Sequence, residues 1–196
     1  MDSMTIIKEY VEGSLSPQNF QKELYYNKDI ENILSEETQI PSYIKTVNLF
    51  YALLEIDLLC PSGELDSKSM LALFLEKRNI SFVYNNSASK KYNLFLKIQP
   101  NWLSLNESYF QLIMEKYKNE KGKNLEKALK LQIKKDFKFL KNRPKWLQSP
   151  EWPIINNKPL FFIGQIDITE IRHDTSYLYI FWDVHTQKYT TLEQSA

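Results

Sequence analysis

Two histidines, one cysteine and a scatter of carboxylates are the residues of this 196-residue chain best suited to chemistry. His173 and His185 lie near Asp167, Asp174 and Asp183 in sequence. If a small sheet brought His173, Asp174 and His185 together, they would form a metal-binding set. Zinc-type sites carry two histidines one turn apart on a helix, or paired cysteines, and neither spacing occurs here. These residues therefore read as turn and strand-end positions. No Gly-x-Ser-x-Gly elbow is present. With only four glycines there is no glycine-rich phosphate loop. Asp57, Glu151, Asp167 and Asp183 lack a spacing that would support paired-carboxylate catalysis. Cys60 falls at the predicted C-terminal end of a helix, a poor place to stabilise a thiolate, and reads as packing. The expectation is a chain with no catalytic residue, no cofactor and no metal ligand.

The elements that would carry such residues divide at a proline segment. Arg143 to Ile168 holds four of the eight prolines (Pro144, Pro150, Pro153, Pro159) and two of the four tryptophans, Trp146 and Trp152. Proline fixes φ and drives its predecessor towards extended backbone, so this stretch is a stiff connector and not a helix. Before it, apolar residues recur at helical spacing. Ile6, Ile7, Tyr10 and Val11 mark a first helix stopped by Gly13. Ser16-Pro17 opens a second, with Phe20, Leu24 and Tyr25 on one face. Lys28 or Asp29 opens a third with Ile30, Ile33 and Leu34. The longest early helix is predicted from Pro41-Ser42 through Ile44, Val47 and Leu53 to Leu58, as the centre of a bundle. Pro61-Ser62-Gly63 reads as a turn, Asp66 as the cap of the next helix, and Asn79 as its end. Residues 80–99 fit either a β-hairpin or two irregular segments. Ser104 or Asn106 caps a helix through Tyr109, Phe110 and Ile113. Asn124 caps an amphipathic helix with Leu125, Leu129, Ile133, Phe137 and Leu140 in one stripe. A central strand follows at 160–168, then strands at 177–184 and 188–192 joined by a His185-Thr186-Gln187 turn. Pro-x-Trp-Leu occurs twice, at Pro100–Leu103 and Pro144–Leu147, too little to define a repeat. The expected fold class is α+β: an N-terminal helical bundle over 1–142 and a small antiparallel β-sheet over 143–196, integrated as one domain. Trp146 and Trp152 should be largely buried between the two parts.

Composition narrows the function classes. The net charge of +1 conceals segregation: −6 over residues 1–80 and +8 over 115–145. Lys127, Lys130, Lys134, Lys138 and Lys141 lie off the apolar stripe of the 124–141 helix. They form either a solvated face or a landing site for nucleic acid or an acidic protein. Few arginines and no aromatic interleaving on the charged side argue against nucleic acid. The tryptophans, Tyr43, Tyr51 and Tyr117 are candidate interface anchors, although core packing suits most of them better. Residues 1–13 carry Asp2, Glu9 and Glu12 and no secretory pattern. Val47 to Cys60 is too short and too interrupted by Asn48, Glu55 and Asp57 to span a bilayer. A lone cysteine suits a cytoplasmic protein.

RPKWLQSPEWPIINNKPLFFIGQIDI, followed by HDTSYLYIFWDVHTQKYTTLEQ, resembles small bacterial proteins encoded beside polymorphic toxins of the contact-dependent-inhibition and Rhs type. The opening IKEYVEGSLSPQNFQKELYYNKDIENIL, LALFLEKRNISF and QPNWLS extend that resemblance over nearly the full length. EWP, KPLFFIGQID and YIFWD are also similar to the core of YwqG-like proteins, over the last quarter only. The first resemblance implies an immunity protein that neutralises a cognate toxin by direct binding and not as an enzyme. Such toxins are commonly basic, which favours the acidic residues Glu31, Glu36, Glu37, Asp57, Glu64 and Asp66 as the pool of partner contacts. The other outcome is an acidic toxin docking on Lys127–Lys141. The alternatives are a nucleic-acid-binding protein using helix 124–141, or a metal-dependent enzyme.

Overall fold

Side-chain caps set where most of the early helices begin. The computed structural model describes residues 2–42 and 44–196, so Tyr43 lies outside the described residues. The chain is α+β and divides into two compact units, Met1–Phe95 and Leu96–Ala196. The division falls at residue 95, not at 142, and the amphipathic lysine helix belongs to the unit that holds the sheet.

In the first unit, α1 (Ser3–Glu12) starts where the Asp2 carboxylate accepts from Thr5 N at 3.3 Å. It ends at Gly13, whose φ of 82° admits the left-handed cap that a side chain would strain. Ser16 accepts from Asn19 N to open α2 (Pro17–Tyr26), and Asn27 opens α3 (Lys28–Ser35). The long helix expected from Pro41-Ser42 does not form. Only α4 (Leu49–Leu54) is helical, capped by Asn48 Oδ1 accepting from Tyr51 N at 3.0 Å. The β-branched run Ile44, Thr46, Val47 is a weak helix former, and a capping asparagine there starts a new helix instead.

α5 (Pro61–Lys77) is the helix buried on most sides. Pro61-Ser62-Gly63 is its first turn, not a separate loop, and Cys60 occupies the N-cap, with Sγ accepting from Gly63 N at 3.3 Å. Cys60 therefore sits at a helix N-terminus and not at a C-terminus. Asp66 is exposed in the helix interior and caps nothing. Gly63 is required by close approach: a Cβ there would lie 2.0 Å from the Asp57 carbonyl oxygen. Tyr10 stacks on Phe20 at 4.0 Å and shares a 2.7 Å hydrogen bond with Ser67. Beneath it, Glu64 pairs with both Lys68 and Lys91 at 3.0 Å. Residues 80–85 are irregular, and 87–98, where strand-like alternation allowed a hairpin, form α6 (Ser87–Ile98).

The second unit opens with the last turn of α6 and continues into α7 (Glu107–Lys116), capped by Asn106, and α8 (Gly122–Asp136). Asn124 lies inside α8, which has no side-chain cap. Leu129, Ile133 and Phe137 are buried as the stripe requires, but the helix stops at Asp136 and Leu140 is 66 % exposed. Asn156 and Asn157, with φ of 51° and 60°, turn a small hairpin of β1 (Ile154–Ile155) and β2 (Lys158–Pro159). The main sheet has order β3-β4-β5, all antiparallel: β3 (Phe161–Asp167), β4 (Ser176–Asp183) and β5 (Lys188–Ser195), with a four-residue α9 (Thr169–Arg172) between the first two. The central strand is thus β4, not the 160–168 segment. The outer edge of β3 is met by the segment after α8: Leu140 N donates to Phe162 O, and Phe162 N to Lys138 O, both at 2.9 Å.

The proline connector is held by sheet side chains in place of a ladder. Gln194 Oε1 accepts from Leu147 N and Gln148 N at 3.1 Å while its Nε2 donates to Ser149 O at 2.8 Å. Tyr179 Oη accepts from Leu147 N and donates to Lys145 O. Gln165 exchanges two further bonds with Lys145. Trp152 is buried and Trp146 half-buried. Gln194 is 3 % exposed, and Gln194→Ala removes the partner of Gln148 N and Ser149 O, while Leu147 N keeps Tyr179 Oη. The expected loss is about 1–3 kcal/mol, read as a lower urea midpoint, with faster hydrogen exchange at the Gln148 amide. Unchanged exchange there would mean the connector is held by its tryptophans alone.

Candidate functional site

Strand connectivity separates the two histidines. His173 precedes β4 and His185 follows it, so about 26 Å of strand lies between them at ~3.3 Å per residue. His173 takes a left-handed C-cap after α9, and the turn carrying His185 is organised by Asp183, which accepts from His185 N and Thr186 Oγ1. Asp167 performs the same local service for Thr169 N. Among the described residues no group of three or more His, Cys, Asp or Glu side chains is arranged to hold a metal.

The acidic residues considered as partner contacts do not form one surface class. Glu64 is 8 % exposed. Burial pushes its carboxyl up, but hydrogen bonds and charge from Lys68 and Lys91 outweigh that and hold it below the ordinary carboxylate range. Glu37 is engaged by Lys77 at 3.0 Å and Arg78 at 3.3 Å, with a similarly lowered carboxyl. Glu31 pairs with Lys28 at 2.8 Å. Glu36, Asp57 and Asp66 are exposed, Asp57 using its carboxylate to accept from Leu59 N. Glu64 and Glu37 are thus tied into the fold, which leaves a thinner acidic surface than the sequence count suggests.

The second unit holds the main cleft, of about 740 Å³. Its floor is apolar: Ile98, Pro100, Trp102, Ile133, Phe137, Phe139 and Phe161. Its rim is cationic: Lys97, Lys130, Lys134, Lys138 and Arg143, with Gln99 the remaining polar residue and no carboxylate, histidine or hydroxyl in the lining. The α8 stripe explains this arrangement. Ile133 and Phe137 point inward, so Lys130 and Lys134 stand on the flank, and Lys138 follows where the chain joins β3. A second depression of about 530 Å³ continues along α8, sharing Lys97, Lys130 and Lys134 and adding Lys123, Lys127 and Leu131. Glu126 engages Lys97 at 2.7 Å and Lys130 at 2.9 Å, and these contacts lower its own carboxyl pKa. Among the described residues no ion pair engages Lys134, Lys138 or Arg143.

Sequence reasoning found the lysines and missed their surroundings. Aromatic side chains do stand beside the charged face, but Trp102 and Phe161 come from segments far from α8 in the chain. The repeated Pro-x-Trp-Leu was the available signal: Trp146 Nε1 donates to Trp102 O at 2.8 Å, joining the two copies. Lys141 is exposed and lines neither depression. Comparison with protein-family models, curated proteins and solved structures gives no match. Among the described residues no helix is long and apolar enough to cross a membrane.

Proposed function

We propose that this protein is a bacterial immunity protein of the toxin–antitoxin, contact-dependent-inhibition kind. It binds a cognate toxin in the cytoplasm and neutralises it by direct protein–protein contact, without catalysis or cofactor. The observation that supports this reading is the chemistry of the main cleft, whose aromatic floor and cationic rim suit contact with a protein surface and include no carboxylate–histidine pair or hydroxyl nucleophile. The resemblance of the 143–168 and 173–194 segments to immunity proteins agrees with it. Co-expression with the product of the neighbouring gene tests it. The toxin alone should arrest growth, the pair should co-purify one to one, and growth should recover. A harmless neighbour, or a toxic one that is neither bound nor neutralised, removes the proposal.

A second reading is favoured by the uncompensated Lys134, Lys138 and Arg143: nucleic-acid binding along α8. It requires affinity for generic RNA or DNA that falls steeply with salt, because each phosphate contact releases counterions.

A further inference from the structure

We infer that the cleft flanking α8 is the docking site for an acidic polypeptide segment bearing a central apolar side chain. The inference rests on the toxin-binding reading and names the chemistry of the toxin's contact. Charge complementarity is the first argument. Five cations ring the cleft and one carboxylate, Glu126, serves only Lys97 and Lys130 among them.

The dimensions supply the second argument. From Lys123 to Lys134 the two depressions follow α8 for about 16 Å at 1.5 Å per residue. That is the reach of about five residues of extended chain, and too long for a lone small anion. The floor supplies the third. Phe139, in the main cleft, is 40 % exposed, and Leu131, in the second depression, is 58 % exposed. This surface suits an aliphatic or aromatic side chain flanked by carboxylates.

The same features disfavour a nucleic-acid strand. Bases need open aromatic faces on which to stack. Phe137 is 2 % exposed, and Trp102 is spent on Phe139, edge to face at 6.3 Å, and on Trp152 at 5.7 Å. Arg143 is the only guanidinium in the lining, whereas planar bidentate recognition of phosphate favours several. Lysines acting as point charges serve carboxylates equally well.

The test uses the full chain and two labelled probes. One is a peptide of about ten residues with Asp and Glu flanking Phe-Leu, and the other a thymidine oligonucleotide of matching length. Anisotropy should show the peptide binding roughly tenfold tighter than the oligonucleotide, and weakening as sodium chloride rises from about 50 to 300 mM. The triple variant Lys134→Glu, Lys138→Glu, Arg143→Glu, all exposed positions, should lose roughly tenfold in peptide affinity with an unchanged melt. Phe139→Ser should weaken the peptide without altering the salt dependence. Equal or tighter oligonucleotide binding, no peptide binding, or full peptide affinity in the triple variant overturns the assignment. The neighbouring toxin separates the two ideas. If the triple variant still binds it and restores growth, the cleft assignment fails and the immunity reading stands. If the unaltered chain neither binds nor protects, the immunity reading fails and the peptide measurement alone decides the cleft.

Discussion

Trp152→Ala is expected to destabilise the protein by about 3–5 kcal/mol, the usual cost of removing a large buried aromatic. Trp152 is 6 % exposed, and its ring lies 5.4–6.0 Å from those of Phe137, Trp102, Phe181 and Phe162. Its Nε1–H donates to Leu160 O at 2.8 Å, so the alanine variant loses a buried hydrogen bond as well as the packing. Phe137 belongs to the end of α8 and Phe162 to β3, so one ring joins helix, connector and sheet. Trp146→Ala should cost less, because Trp146 is only half-buried. Urea unfolding of both variants checks the ranking. Equal losses, or a Trp152 loss under about 1 kcal/mol, would place the centre of this unit elsewhere.

Glu64→Ala should cost about 3–5 kcal/mol, because it leaves the 7 % exposed Lys68 ammonium buried without its partner. A sign follows for pH. The folded Glu64 carboxyl titrates below its ordinary value of 4.5. A group depressed in this way contributes stability that is complete above about pH 4.5 and is lost as pH falls through the folded value. The unaltered protein should therefore lose stability on acidification below that point, and Glu64→Gln should flatten this part of the curve. Glu37, lowered by Lys77 and Arg78, contributes in the same direction. An acid limb of the same slope in Glu64→Gln would assign the loss to other carboxylates.

Local signals in the sequence held at some positions and not at others: the caps expected at Asp66 and Asn124 and the turn expected at Pro61-Ser62-Gly63 lie inside helices. Gly13, Ser16, Asn106 and the 185–187 turn act within a few positions of themselves, and each lies where short-range chemistry puts it. Periodicity failed where two structures share a pattern. Ile44 to Leu58 has helical spacing, but Asn48 restarts the helix. Tyr92 to Ile98 alternates like a strand and is helical. The fold class and the strand hairpins were readable; which strand is central was not, because both faces of Leu160–Ile163 are apolar for another reason. The edge of β3 is covered by residues 138–140, a non-local pairing without a sequence signature. The cleft was half readable for the same cause. Its lysines share one helix, while Trp102 and Phe161 reach it only through tertiary packing.

The tie between Lys138–Leu140 and Phe162 also orders events during synthesis. α8 leaves the ribosome before β3, and β4 and β5 follow, so the sheet's last strand ends 59 residues after the helix does. At 5–20 residues per second, that interval is about 3–12 s. For the first part of it, until Phe161 and Phe162 have emerged, the newborn chain displays the lysines of α8 with no Phe161 floor and no strand to hold Leu140. A nascent chain stalled before β3 emerges should therefore carry the charge but capture no acidic peptide, and capture by such a chain would show that the helix acts alone. Binding competence on this scheme is a late acquisition of translation, gained when the sheet closes.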